Sequence, residues 1–260
     1  GVQGLPPQKR DSPAPLMNKA TPVWGLMAAL PEELGDLVHR LQAPTTHRIA
    51  GRDFIQGQLQ GQTVHAVTAR IGKVAAALTA TTLIERFGVN HLVFVGVAGG
   101  LGQQVRRGDV VVAHELVQHD LSAWPLFPRG EIPLLGKTRL SCDPTLTQAL
   151  QTAAQEALVG EQRLHSGLIA SGDQFIQGHD MAQRIRDHYP DVLAVEMEGA
   201  AVAQVCEECG VPFAVLRTIS DVADEHGKVA SGGERSGAAE QAGREAHAEV
   251  RPLRSEEAHV

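Results

Sequence analysis

The sequence predicts an α/β fold whose strands empty their carboxyl ends towards one rim. Three observations carry this reading. Short apolar runs recur at Val23–Ala29, His91–Val97, Asp109–Leu116, Leu164–Ser171, Leu193–Val195 and Val211–Ile219, with the length and makeup of buried strands. Helical patterns stand between several of them, as α/β connections require. Acids or glycines then follow the strands at once: Glu33, the run Ala98-Gly-Gly-Leu-Gly102, the pair Glu196 and Glu198, and Asp221. Strand exits of this kind are where α/β sheets bind ligands.

Composition narrows the function classes. The chain has 260 residues, 43% of them hydrophobic, enough for a substantial core. Aromatics are only 3%, so Val, Leu, Ile and Ala must build that core. A net charge of -7 and the lack of a basic cluster argue against a nucleic-acid surface. No run approaches the roughly 18 apolar residues of a membrane span, and no signal-peptide pattern opens the chain, so a cytoplasmic protein is expected. Three cysteines do not make a disulfide scaffold. Cys206 and Cys209 form a C-x-x-C with no second pair and no zinc-site spacing, so a structural role is preferred and no metal is expected.

In chain order, residues 1–16 are Pro-rich, polar and aperiodic, and read as a disordered leader or a remnant of an expression tag, with Met17 as the native start. The first strand, Val23–Ala29, precedes a helix opened by Pro31 and running to about Leu41, which sets Glu33 just past the strand end. Phe54–Leu59 and Thr63–Ala69 make a hairpin around Gly61. Residues 69–78 are a strand exit into an Ala-rich helix. Gly72-Lys73 lacks the upstream Gly and the following Ser or Thr of a phosphate loop, and that reading is rejected.

His91–Val97 runs into the glycine stretch 98–102, whose spacing is not that of a dinucleotide fingerprint. Asp109–Leu116 is a strand, and His119 and Asp120 follow it. Adjacent strand residues point apart, which favours a structural role for the two over a catalytic pair. The irregular stretch 121–137 is long enough to be functional, and exposed Trp124, Leu126 and Phe127 would suit a subunit contact or a site wall. Pro144–Leu158 is an amphipathic helix, Leu164–Ser171 a strand emptying into Gly172-Asp-Gln-Phe-Ile176, and Asp180–His188 a helix. The strand Leu193–Val195 then meets Glu196-Met-Glu198 and a small-residue helix. If the segment is still extended, the two glutamates point one way and Met197 the other. They read equally as ligands or as solvated acids at the positive end of a helix dipole. Three unpaired acids at one rim, Glu33, Glu198 and Asp221, would repel one another unless a ligand or a titration role justified them.

Seven pieces of the chain carry a family likeness: Gly25-Leu-Met-Ala-Ala-Leu-Pro-Glu-Glu33, Ile71-Gly-Lys-Val-Ala-Ala-Ala77, Val97-Ala-Gly-Gly-Leu101, Gly108-Asp-Val-Val-Val112, Ser171-Gly-Asp-Gln-Phe-Ile176, Val195-Glu-Met-Glu198 and Ser220-Asp-Val-Ala-Asp224. In their order and spacing the chain resembles the methylthioadenosine/S-adenosylhomocysteine nucleosidases of the nucleoside phosphorylase superfamily. The resemblance implies one three-layer αβα domain, residues 17–224, with a central mixed β-sheet, working without a cofactor as a homodimer on a small nucleoside. It also implies cleavage of an N-glycosidic bond by water.

By that resemblance Asp221 protonates N7 of the purine, Glu33 orients and deprotonates the water, and Arg217 holds the region together. Glu198 accepts hydrogen bonds from the ribose hydroxyls with Met197 against the sugar. Phe175 stacks on the adenine, the backbone around Ile176 reads its edge, and Ser220, Ala98 and Gly99 belong to the same substrate contacts. Phe127, with Leu126, resembles the segment that reaches into the partner subunit's alkylthio pocket. Glu196 is left with a structural role.

Two departures stand out. Many relatives carry a hydroxyl residue where this chain has Val97, which cannot hydrogen-bond through its side chain. Residues 225–260 hold only Val229, Val250, Leu253 and Val260 as strongly apolar residues and no aromatic, and are expected to be a divergent, disordered tail, through a shifted reading frame or an unrelated replacement. The alternatives to a hydrolase are a phosphate-dependent purine nucleoside phosphorylase and a catalytically impaired nucleoside-binding paralogue. Against the first stands Glu33, since a carboxylate repels phosphate.

Overall fold

The computed structural model describes residues 21–222. The expected leader and the expected tail both lie outside the described residues. Fifteen elements follow in order: β1 (Val23–Ala28), α1 (Pro31–Arg40), β2 (Gln42–Ile49), β3 (Arg52–Leu59), β4 (Gln62–Thr68), α2 (Lys73–Phe87), β5 (His91–Gly100), β6 (Val110–Gln118), β7 (Leu140–Ser141), α3 (Pro144–Ala157), β8 (Leu164–Ser171), α4 (His179–His188), β9 (Val192–Glu196), α5 (Gly199–Cys209) and β10 (Phe213–Val222).

All ten strands join one mixed sheet in the order β10-β6-β8-β9-β5-β1-β4-β3-β2, with β7 on β6. β5 also runs parallel to β10, from Leu92 opposite Phe213 to Gly100 opposite Val222. Its last glycines pair antiparallel with β9, Gly99 opposite Val195 and Gly100 opposite Ala194. Strands β5, β10, β6, β8 and β9 therefore close a ring of pairings, and β1, β4, β3 and β2 extend from it as an open arm. The strand expected to end at Val97 thus continues through Ala98–Gly100, the first part of the glycine stretch. A Cβ at Gly100 would stand 3.2 Å from both Ile219 and Val105, closer than most side chains tolerate, so glycine there lets neighbouring segments close on β5.

Two apolar layers cover the sheet. On one face Ala76, Ala80 and Leu83 of α2 and Ala200, Val202 and Ala203 of α5 pack with Met27, Phe94, Val111 and Val215. On the other, Leu34 and Leu37 of α1 and Leu146, Leu150 and Ala154 of α3 pack with Leu26, Val95, Val112 and Leu216. Successive strand residues alternate between these layers, as the pleat dictates. A third cluster joins Ala182 and Ile185 of α4 to Leu168, Ala170 and Ile176. The result is the expected three-layer arrangement, with strand carboxyl ends carrying Glu33, Glu196 and Asp221 on separate segments. No helix among the described residues is long and apolar enough to cross a membrane.

The strand β2 was not anticipated. It is exposed along nearly its whole length and forms the free edge of the arm. Its polar sequence carries no alternation to betray it, and it contains Pro44, which only an edge strand accommodates.

Candidate active site

Glu33 is the third residue of α1, and its position follows from Pro31 opening the helix right after β1. Its Oε2 accepts hydrogen bonds from the backbone N–H groups of Ala29 and Leu30, both at 2.8 Å, and its Oε1 accepts one from Val97 N–H at 3.1 Å. The residue is only 3% exposed. Burial raises its pKa, against the pull of the Arg217 guanidinium and of the backbone donors at Leu30, Val97 and Ala29. The Val97 contact comes from the main chain, so the missing hydroxyl at this position does not loosen Glu33.

Arg217 reaches the same place from β10. Its side chain is buried, its guanidinium carbon lies 4.1 Å from the centre of the Phe94 ring, and its Nη2 donates to Glu196 Oε2 at 2.6 Å. Space for it comes from Gly96, two residues along from Phe94 on the same face of β5. A Cβ at Gly96 would stand 2.9 Å from both Arg217 Nη1 and Glu33 Oε1. The two charged groups meet where a side chain is missing.

Glu196, at the end of β9, is buried and saturated. Its Oε2 accepts the N–H groups of Glu198 (3.2 Å) and Gly199 (2.8 Å) as well as Arg217, and its Oε1 accepts the Ser171 hydroxyl. Ser171 Oγ in turn accepts Ala200 N–H at 2.8 Å. Glu196 and Ser171 thereby satisfy the first orphan donors of α5 from outside the helix. The solvated-acid reading of the pair is corrected: both glutamates are at helix start, but Glu196 is 8% and Glu198 6% exposed. A charged group is withdrawn from water there only when paired or when its pKa moves.

Glu198 takes the second course. It is pushed up to about 8, first by burial, then by the Glu196 charge, while Arg217 opposes and Glu33 adds to the rise. The backbone N–H of Gly72 is its hydrogen-bond donor, and its buried Oε2 has no hydrogen-bond partner among the described residues. Three carboxyls, Glu33, Glu196 and Glu198, thus share one guanidinium. The paired Glu196 bonds that cation directly, and the carboxyls of the other two are driven towards the neutral form.

The remaining predicted residues lie on several other segments. Asp221 pairs in register with Gly99 and is exposed; its Oδ1 accepts the Ser220 hydroxyl at 2.6 Å, and Ser220 Oγ also lies 3.5 Å from Ala98 O. Asp221, Ser220, Ala98 and Gly99 therefore form one group where β10 meets β5. Phe175 is 54% exposed, whereas Ile176 beside it is buried against α4. Met197 is half-buried between the two glutamates. Phe127 is half-buried on the separate 121–137 stretch, its N–H donating to Ala123 O at 3.2 Å. Among the described residues, no three His, Cys, Asp or Glu side chains group as a metal site.

Similarity to known proteins decides the family. The phosphorylase superfamily model matches residues 24–253. The 5′-methylthioadenosine/S-adenosylhomocysteine nucleosidase of Shewanella sediminis is 36% identical over 79% of this chain and 88% of its own length. The chain belongs to the methylthioadenosine/S-adenosylhomocysteine nucleosidases of the phosphorylase superfamily. Solved structures agree: the nucleosidase of Neisseria meningitidis in complex with methylthio-immucillin-A superimposes with a TM-score of 0.79 at 30% identity, covering 86% of this chain and 97% of that one. The Streptococcus pyogenes S-adenosylhomocysteine nucleosidase in complex with 5-methylthiotubericidin gives 0.78 at 30% identity, covering 88% and 94%.

Within this nucleosidase three contributors escaped sequence reasoning. Gly96 looked like one more small strand residue, Ser171 was only the first letter of a motif, and Gly72 was weighed as a phosphate loop and set aside. A hydroxyl closing an apolar strand, as Ser171 does, is the one signal that could have been followed, since a buried hydroxyl needs a partner.

Proposed function

We propose that the chain hydrolyses the N-glycosidic bond of 5′-methylthioadenosine and S-adenosylhomocysteine, releasing adenine and the 5-thioribose sugar. The observation that carries this reading is the buried carboxyl group of Glu198, with one oxygen unpartnered, held beside Glu33 around a single guanidinium. A ribose presents hydroxyl donors that suit such an oxygen, and an unpaired buried acceptor gains most from receiving one.

The bond from the ribose anomeric carbon to purine N9 breaks with its electron pair leaving on the base. Asp221 transfers a proton to N7, so the base departs neutral. Positive charge develops on the sugar ring, which the acceptor oxygens of Glu198 and Glu33 favour. Glu33, whose raised pKa makes it a stronger base than an exposed glutamate, takes a proton from the water whose oxygen bonds to the anomeric carbon. Such proton transfers contribute on the order of 10²- to 10⁴-fold each. Phe175 lies against the face of the adenine, the backbone at Ile176 pairs with its edge, and Met197 packs on the sugar. Ser220, hydrogen-bonded to Asp221, aims the donor.

The same carboxyl groups disfavour the phosphorylase reading, because the Arg217 guanidinium is already bonded to Glu196 and an entering phosphate would face three acids. We further propose a homodimer. Ile71, Val74 and Leu78 expose an apolar stripe at the start of α2, and Trp124 and Leu126 are 70% and 83% exposed, the kind of patch that subunits cover.

Asp221→Asn tests the chemistry. Adenine release should be abolished while nucleoside binding stays within a few-fold of wild type; undiminished turnover would remove Asp221 from the proton-donor role.

A further inference from the structure

Lys73 has no part in the chemistry just described, yet it ties together three segments that do. It opens α2, and the preceding Gly72, with φ of 100°, has no side chain to cap the helix. The first donors of α2 are taken up from elsewhere: Gly72 N–H by Glu198, and Lys73 N–H by Asp173 Oδ1 at 2.9 Å. The Lys73 ammonium reaches Asp120 Oδ1 at 2.7 Å and Gln118 Oε1 at 3.2 Å, both at the exit of β6. Asp120 uses its other oxygen, Oδ2, to accept Asp173 N–H at 2.8 Å. Asp173 is therefore gripped at its side chain by the Lys73 backbone and at its backbone by the Lys73-paired Asp120.

The ion pair is well shielded, with Lys73 and Asp120 side chains 16% and 23% exposed. Burial would raise the Asp120 pKa, but the Lys73 ammonium and the Asp173 amide outweigh it and hold the carboxyl below its usual range. Gly172 belongs to the same clamp. A Cβ there would stand 2.4 Å from His119 Nε2 and 3.0 Å from the Asp120 carboxyl carbon. Glycine at 172 thus leaves room for His119 and Asp120 beside the clamp.

We propose that Lys73, acting through Asp120 and Asp173, is a positioning residue that fixes the base-holding segment at Phe175–Ile176 relative to the ribose-holding carboxyl of Glu198. This deepens the nucleosidase reading and rests on it. The segment follows Asp173 by two and three residues, and Glu198 is hydrogen-bonded to the residue before Lys73. One side chain therefore sets the spacing between the two halves of a nucleoside.

The test compares wild type, Lys73→Met, Lys73→Arg, Asp120→Asn and the double variant Lys73→Met/Asp120→Asn, each first checked for folding by thermal melting. Two quantities are read: KM and kcat for methylthioadenosine, and the Kd of free adenine by calorimetry. We expect Lys73→Met to raise KM and adenine Kd together by about tenfold, the scale of one charge-assisted hydrogen bond. kcat should change by less than threefold or so, because bound substrate restores the spacing. Lys73→Arg should recover most of the loss. The double variant should be no worse than the worse single one, since both break one bridge. Unchanged adenine affinity in Lys73→Met, or a drop confined to kcat, would overturn the proposal. If Lys73→Met fails to fold, Asp120→Asn carries the same expectation and the same refutation. A wild-type protein that binds adenine but turns over no methylthioadenosine would sink the nucleosidase reading separately, while the adenine Kd series would still decide the role of Lys73.

Discussion

Replacing Glu198 by Gln should make the protein more stable and a worse catalyst, and the stability gain should depend on pH in a defined way. The residue is 6% exposed, and its carboxyl is pushed from 4.5 up to about 8, chiefly by burial and by the Glu196 charge. A carboxyl whose pKa is higher in the folded than in the unfolded chain binds its proton more tightly when folded. Stability therefore falls as pH rises from the unfolded pKa to the folded one, and is flat outside that window. At 1.36 kcal/mol per pKa unit, wild type loses roughly 3 kcal/mol by pH 7 and roughly 5 kcal/mol above pH 8.

Gln cannot ionise and escapes that loss. Its amide leaves a donor where Glu198 Oε2 already lacked a partner, a pH-independent cost of about 1–3 kcal/mol. The net gain at pH 7 is then at most about 2 kcal/mol, some 4–8 °C in Tm for a domain of this size. The difference between the two proteins, however, should grow by the full amount between pH 4.5 and 8. Urea unfolding of both proteins at half-unit steps across that range reads the difference directly. Parallel stability curves would refute the reasoning, for they would mean that Glu198 is not a buried, strained acid. Turnover should fall on the order of 10²-fold, the usual scale for removing one electrostatic contact from a developing charge.

Two further predictions follow from the same geometry. Gly96→Ala places a Cβ 2.9 Å from Arg217 Nη1 and Glu33 Oε1, so it should cost about 1–3 kcal/mol of stability and lower kcat by pulling the base from its place; denaturant unfolding and steady-state kinetics would measure both, and a fully active variant would show that the two groups need not meet there. Val74→Glu with Leu126→Glu, at positions 81% and 83% exposed, should turn a dimer into a monomer in analytical ultracentrifugation, and an unchanged sedimentation coefficient would contradict the proposed interface.

The parts legible in the sequence are those set by local pattern. Apolar runs of strand length announced β1, β5, β6, β8, β9 and β10, because buried strands need continuous Val, Leu and Ala. Pro31 after β1 fixed the start of α1 and hence the height of Glu33. Glu33, Glu198 and Asp221 stood out as strand-exit acids for the same local reason. What was illegible depends on pairing across distance. The ring closed by β5 on β9 and β10 rests on Gly99 and Gly100, whose close approach no neighbour in sequence reveals. The bond from Arg217 to Glu196 spans 21 residues and that from Lys73 to Asp120 spans 47, so neither glutamate nor lysine carries a local mark of its partner. Edge strand β2 is polar and contains proline, and its backbone pairing alone makes it a strand. Val97 offers no side-chain hydrogen bond, yet its main-chain N–H donates to Glu33, a contact that its side chain does not announce.

The most direct measurement is adenine release from methylthioadenosine by the full chain in phosphate-free buffer, repeated with added inorganic phosphate. The account predicts free adenine and the free thioribose sugar at a rate that phosphate does not increase. Turnover that requires phosphate and yields a sugar phosphate would contradict it, and so would bound but uncleaved nucleoside.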